Sequence, residues 1–197
     1  MMSRSQKEWR ERKECWESYW ETRNHPHRKT VLKQLKKELK GKRINNVLEV
    51  GCASGPMLKC LKDEFNCELW GFDISETAIE HAKKNLPDAD LRVLDMMKAD
   101  FPYKNNQFDL VITDATLIYA DDNVIENVLR EIKRVGGKYF LFIEFHAEKD
   151  GLDEGYYIYN YDKLLKELSF KNIKKKKITN WEGYCWEKYG YCIITQK

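Results

Sequence analysis

A chain of 197 residues, 42% hydrophobic and 34% charged, has room for one domain with a sizeable core and an ordinary globular composition. No apolar run reaches the roughly 18 residues of a membrane span, and the charged N-terminal stretch reads against a secretory signal. The net charge of +3 conceals an uneven distribution: residues 1–43 carry 14 Lys/Arg against 6 Asp/Glu, residues 44–170 carry 14 against 24, and the stretch from Lys171 to Lys177 holds five lysines.

Basic ends on an acidic body read either as solvated faces or as an attraction for an anionic partner such as nucleic acid. The six cysteines (15, 52, 60, 67, 185 and 192) form no C-x-x-C pair and no metal-ligand spacing with the four histidines. Reduced thiols in a cytoplasmic chain without a metal site are therefore expected.

Taken in order, residues 5–22 read as a helix with Trp9, Trp16, Tyr19 and Trp20 among charges. The stretch Asn24-His25-Pro26-His27 breaks it, since Pro26 disfavours αR at His25. A second helix is expected over 30–39, with Val31, Leu32, Leu35 and Leu39 on one face and Gly41 as its C-cap. Val47, Leu48 and Val50 form the near-continuous apolar run of a parallel strand covered on both faces. The loop Gly51-Cys52-Ala53-Ser54-Gly55 follows, then Pro56 at the first position of a helix over 57–64, whose free N–H groups point back at the loop.

The next apolar run, 69–73, ends at Asp73, and a third, 89–94, is followed by Asp95. Three successive strands thus place a glycine loop or an acid at their C-terminal ends, the edge at which open α/β sheets bind ligands. Ser75 caps a helix over 76–85. Residues 96–106 read as a loop, 108–112 as a fourth strand, and Asp121 or Asp122 as the cap of a helix reaching Arg134. The fifth strand, 139–145, ends at His146. Residues 147–155 read as a polar loop, 162–168 as a helix, and 172–179 and 189–195 as antiparallel strands joined by Trp181-Glu182-Gly183-Tyr184-Cys185-Trp186.

From Val47 to Phe145, with a looser continuation to the end, the chain resembles the class I S-adenosylmethionine-dependent methyltransferases, in particular their small-molecule branch. The resemblance rests on Val47 to Gly55, on Gly71-Phe72-Asp73-Ile74-Ser75, on Asp95-Met96, on Phe108-Asp109-Leu110-Val111-Ile112-Thr113-Asp114-Ala115 and on Val135-Gly136-Gly137-Lys138. It implies a three-layer α/β sandwich with a seven-stranded, mostly parallel sheet in the order 3-2-1-4-5-7-6, the last strand antiparallel, and N-terminal helices added. Residues 1–43 would be an arm covering the cofactor and residues 44–197 the catalytic domain.

By the same resemblance, Glu49 with Gly51, Cys52, Ala53 and Gly55 would hold the methionine portion of S-adenosylmethionine. Asp73 would take its ribose and Asp95 with Met96 its adenine, with Ile74 and Met97 also at the cofactor; the fourth-strand motif ending in Asp114 and Ala115 would lie beside the sulfonium, where Asp114 would also meet the acceptor. Tyr19 or Arg23, from the cluster Tyr19, Trp20, Arg23, His25, His27 and Arg28, would cap the methionine carboxylate. Ala53 replaces the middle glycine of the family's loop.

Several residues support two readings. Tyr119 is either a substrate contact or core. His146 is either a general base, with an unperturbed pKa of roughly 6.5, or a loop hydrogen-bonding group. Glu144 is either a substrate-binding or a structural carboxylate. Tyr156, Tyr157 and Trp181, among other late aromatics, either wall a small acceptor or pack under the last strands.

Three rival functions stand beside small-molecule methyl transfer. A dehydrogenase is disfavoured, because no G-x-G-x-x-G is present and no serine precedes the Tyr159-x-x-x-Lys163 pair at the usual distance. An RNA or protein methyltransferase would use the basic arm and the lysines from 171 to 177. It lacks the Asn/Asp-Pro-Pro-aromatic signature, Asp114-Ala115-Thr116-Leu117 standing there instead, and the lysines also suit an edge strand. A non-catalytic scaffold has no need of Glu49, Asp73 and Asp95 together.

Overall fold

Val47 and Leu48, Val111 and Ile112, and Phe142 and Ile143 are neighbours along three strands, and all six are fully buried. Successive strand residues face opposite ways, so the sheet they form must be covered on both faces. The computed structural model describes residues 4–197, which leaves the first three residues of the expected arm outside the described part.

The strands are β1 (Asn46–Val50), β2 (Glu68–Asp73), β3 (Asp90–Val93), β4 (Phe108–Asp114), β5 (Gly136–Phe145), β6 (Gly151–Asp153), β7 (Tyr156–Ile158), β8 (Lys171–Lys177) and β9 (Gly190–Gln196). Seven of them form one sheet, ordered β3-β2-β1-β4-β5-β9-β8, in which β9 runs against both neighbours. Counted within that sheet alone, the order is the 3-2-1-4-5-7-6 that the resemblance implies. The helices are α1 (Arg4–Glu11), α2 (Trp16–Glu21), α3 (Pro26–Glu38), α4 (Pro56–Phe65), α5 (Glu76–Asn85), α6 (Ile125–Val135), α7 (Tyr161–Glu167) and α8 (Tyr184–Tyr189).

One sheet face packs on α3, α4 and α5 through residues such as Leu35, Leu61 and Ile79. The other packs on α6 and α7. In α6, Ile125, Val128, Leu129, Ile132 and Val135 recur at helical spacing and are all buried. Each such side chain stabilises the domain by about 2 kcal/mol through burial.

Four local expectations are corrected. The helix over 5–22 is two helices, because Cys15 stands at φ 71° in the left-handed region and stops regular αR continuation. Pro26 opens α3 rather than merely breaking its predecessor: it is the first helical residue, where its missing N–H costs nothing, and His25 is the N-cap. The polar loop over 147–155 contributes β6, which pairs with β7 as a separate hairpin. The connection from 181 to 186 contains the start of α8.

Candidate active site

The glycine loop after β1 takes its shape from three left-handed residues, Gly51 (φ 74°), Ala53 (φ 47°) and Gly55 (φ 83°). At Gly51 the backbone also comes very close to the loop after β4. A Cβ there would lie 2.3 Å from Thr116 Cγ2 and 2.4 Å from Thr116 Oγ1, so only glycine fits. Gly51 and Cys52 donate their N–H groups to the Phe72 carbonyl at 2.8 and 2.9 Å, which ties the loop to β2.

Asp73, ending β2, is held by the loop it faces. Its Oδ2 accepts the Ala53 N–H at 2.9 Å and its Oδ1 the Ser75 N–H at 2.9 Å. Ser75 caps α5 by accepting from the Ala78 N–H. Beyond β3, Asp95 accepts the Met97 N–H at 3.0 Å and opens the 3-10 turn Met96–Lys98. Each of these carboxylates is oriented by backbone donors, as a preformed site requires.

A cavity lies along these strand ends, the edge at which open α/β sheets bind ligands. Of the residues expected around a cofactor, Tyr19, Gly51, Ala53, Asp73, Ile74, Asp95, Met96, Met97, Asp114 and Ala115 line it, and so does Tyr119. Gly55 does not: it is the N-cap of α4, packed against Leu86. Cys52 faces Gly71 instead, its thiol buried among apolar groups. Glu49 is buried beside the cavity, where the Leu58 N–H of α4 donates to it.

The electrostatics behind the wall are unusual. Glu49, Asp73 and Asp114 are buried near one another, and among the described residues the buried cation beside them is Arg28, whose guanidinium donates to Asp114 Oδ2 at 2.8 Å with both side chains almost inaccessible. Burial pushes all three carboxyl pKa values up, Glu49 well above the usual carboxylate range. Burial opposes the Arg28 charge as well, but the carboxylates, Asp114 foremost, outweigh it and keep the guanidinium protonated. Arg28 Nε, Glu49 Oε2 and Asp114 Oδ1 remain buried without hydrogen-bond partners. Three acids against one base, with three unmatched polar atoms, is a site shaped for a ligand that brings positive charge.

The structure corrects other assignments. Arg23 stacks on Trp20, donates to the Trp20 carbonyl and pairs with Glu21, outside the cavity lining. The buried cation is Arg28, which also donates to Thr22 O and Thr22 Oγ1, fixing the segment after α2 to the end of β4. His146 does not line the cavity. Its Nδ1 accepts the Tyr161 N–H at 3.1 Å and its Nε2 meets the Lys175 ammonium, which donates to Asp162. Burial first, then the Lys175 charge, lower its pKa, so it serves to hold β5, α7 and β8 together. The grouping of His146, Glu148 and Asp162 is crossed by that same ammonium.

Glu144 is structural. Its two oxygens accept the Thr116 and Ile118 N–H groups at 3.2 and 3.3 Å and so hold the loop after β4, in which Ala115 sits at φ 58°. Trp181 stacks between His27 (3.6 Å) and Trp186 (3.5 Å), away from the cavity lining. Tyr157 stacks on Tyr159, and Tyr156 stands behind Tyr119 with its ring 5.8 Å away.

Sequence reasoning missed Trp9, Phe72, Leu94 and Thr116, which also line the cavity, and Arg28 behind it. Phe72 and Leu94 immediately precede Asp73 and Asp95, so position relative to the acids could have found them. Trp9 carries no such signal.

Residues 47–137 match the family model described as a methyltransferase domain. No curated protein sequence matches the chain. Among solved structures, the PH0226 protein from Pyrococcus horikoshii OT3 is similar at a TM-score of 0.67 and 19% identity, covering 91% of this chain and 98% of that one. The magnesium protoporphyrin IX methyltransferase (ChlM) from Synechocystis PCC 6803 is similar at 0.67 and 15%, covering 99% and 92%. The geranyl diphosphate C-methyltransferase from Streptomyces coelicolor A3(2) is similar at 0.66 and 11%, covering 85% and 77%. Residues 47–137 thus match a methyltransferase domain, and the chain shares its fold with these structures over most of its length.

Proposed function

We propose that the chain is an S-adenosylmethionine-dependent methyltransferase acting on a small molecule. The observation that carries the reading is the charge imbalance at the cavity: Glu49, Asp73 and Asp114 outnumber Arg28, and their unmatched atoms suit a ligand that is both sulfonium and amino acid. The ligand's ammonium would meet the free oxygens of Glu49 and Asp114, and its carboxylate the free Nε of Arg28. Asp73 would accept from the ribose hydroxyls, and Asp95 with Met96 and Met97 would hold the adenine. When bound, the sulfonium supplies an activated methyl group.

The residues of this chain contribute alignment and exclusion of water. The segment from α1 through α2 acts as the cover: Trp9 and Tyr19 close one wall, and the arm is tied down where Trp16 Nε1 donates to Thr77 Oγ1 at 2.9 Å and Thr77 Oγ1 donates to the Arg12 carbonyl at 2.7 Å. Three of the five lysines from 171 to 177 already have protein partners, Lys174 with Glu38, Lys175 with Asp162 and Lys177 with the Lys188 carbonyl, which weakens the case for a nucleic-acid substrate. Among the described residues, no helix is long and apolar enough to cross a membrane, and all six cysteines are free thiols, which suits a cytosolic setting. The test is calorimetric titration with S-adenosylmethionine and, separately, NADH. Micromolar binding of the first alone is expected, and binding of NADH alone overturns the reading.

A further inference from the structure

We propose that the methyl acceptor is an amine nitrogen, received in an aromatic corner formed by Trp9, Tyr19 and Tyr119. This inference rests on the reading of the cavity as a methyl-donor site. The three rings line the same cavity and meet at steep angles rather than in a stack. Trp9 lies 5.7 Å from Tyr119 at 69° and 6.4 Å from Tyr19 at 81°. Tyr156 backs Tyr119 at 5.8 Å and 66°, fixing that wall from behind. Trp9 already holds a cation over its ring, the Arg12 guanidinium 4.3 Å from its centroid, and an alkylated ammonium group beside these rings would gain the same attraction.

Acceptor chemistry narrows the choice. A hydroxyl acceptor must lose its proton to a base during transfer, yet among the described residues no histidine or lysine lines the cavity. The two groups at the end of β5 that might have served are engaged elsewhere, Glu144 with the Thr116 and Ile118 N–H groups and His146 with Tyr161 and Lys175. Tyr19 and Tyr119 are kept protonated by burial, so they serve as walls and hydrogen-bond donors. Asp114 pairs with Arg28 through Oδ2, and its free Oδ1 is the oxygen that would meet the donor's ammonium.

An amine that enters protonated first gives its proton to solvent, and the neutral form then needs no base during transfer. Its lone pair forms the new N–C bond, and the electrons of the broken S–C bond leave with the donor sulfur, which becomes a neutral thioether. The positive charge passes to nitrogen, inside the aromatic corner and near the surplus of carboxylates. A product that still carries an N–H gives that proton to solvent after release. A thiol acceptor would yield a neutral sulfide and gain nothing from this electrostatic setting.

The test reads binding rather than turnover. The protein is first titrated with S-adenosylhomocysteine, which reports on the cofactor reading by itself. The loaded protein is then titrated with choline and with its neutral carbon isostere, 3,3-dimethylbutan-1-ol. A preference of about tenfold or more for choline is expected. Trp9→Leu and, separately, Tyr119→Leu should remove most of that preference. Equal binding of the two probes, tighter binding of the neutral one, or binding of neither to loaded protein overturns the proposal. Failure of S-adenosylhomocysteine to bind overturns the cofactor reading, and the amine proposal falls with it.

Discussion

The two ends of the cavity are supplied by the chain in different ways. At the end expected to hold the cofactor, Gly51 follows β1, Asp73 ends β2 and Asp95 stands two residues beyond β3, so one parallel sheet edge sets their relative positions. At the other end, Trp9 comes from α1, Tyr19 from α2 and Tyr119 from a turn after β4, backed by Tyr156 from the β6–β7 hairpin. The first end is rigid because the sheet is, and its carboxylates are already aimed by backbone N–H groups. The second is assembled from separate elements and is free to change without disturbing the fold. A shared sheet edge therefore conveys a chemistry, while the facing wall conveys a preference.

The two ends meet at Arg28 and Asp114, and breaking that junction should have the largest effect. Arg28→Met leaves a buried carboxylate without its cation and should cost about 4 kcal/mol in a denaturant titration. A loss below about 1 kcal/mol would mean that the pair is hydrated in solution.

Glu144 distinguishes the ends by pH, because it holds only the loop on the acceptor side. Burial raises its pKa from 4.5 to about 7. The protonated form is thus favoured by folding: its contribution is fully present below about pH 4.5 and is lost as pH rises through about 7. Stability of the wild type should fall over that window by up to about 3 kcal/mol relative to Glu144→Gln, measured as the pH dependence of the unfolding midpoint. Parallel profiles for the two proteins would contradict the assignment.

Asp73→Ala tests the cofactor end alone. It removes the acceptor for the Ala53 and Ser75 N–H groups and, on the proposed reading, for two ribose hydroxyls. Affinity for S-adenosylmethionine should weaken by about 2 kcal/mol, roughly 30-fold, in calorimetry. The smallest effect is expected at Ala53. Relief of its left-handed strain by Ala53→Gly, partly offset by the greater freedom of the unfolded chain, should raise stability by about 0.5 kcal/mol.

The same contrast explains what the sequence made legible. The strands, the glycine loop and the acids at the ends of β2, β3 and β4 are written as apolar runs with polar punctuation, whereas the order of the strands in the sheet is what the family resemblance implies. The expectation for Arg23 failed because Arg23 and Arg28 share one basic segment, and nothing in spacing says which of them faces inward. His146 stands at a strand end, as expected, but the chain beyond it, through Tyr161 and Lys175, draws its ring away. Trp9 reads as one more aromatic in a charged helix until α1 folds over residues 110 positions later in the chain, at Tyr119. Pro26 misled because a helix starter and a helix breaker are the same residue seen from opposite sides.

The central claim is that an excess of buried carboxylates awaits a cationic ligand, and proton-linked calorimetry tests it most directly. S-adenosylmethionine would be titrated into the protein from about pH 5 to about pH 8, in buffers of different ionisation enthalpy. Because burial raises the pKa values of Glu49, Asp73 and Asp114, the arriving positive charge should displace protons, so binding should release protons to the buffer and tighten as pH rises. Affinity that does not change with pH, with no proton released, would contradict the account.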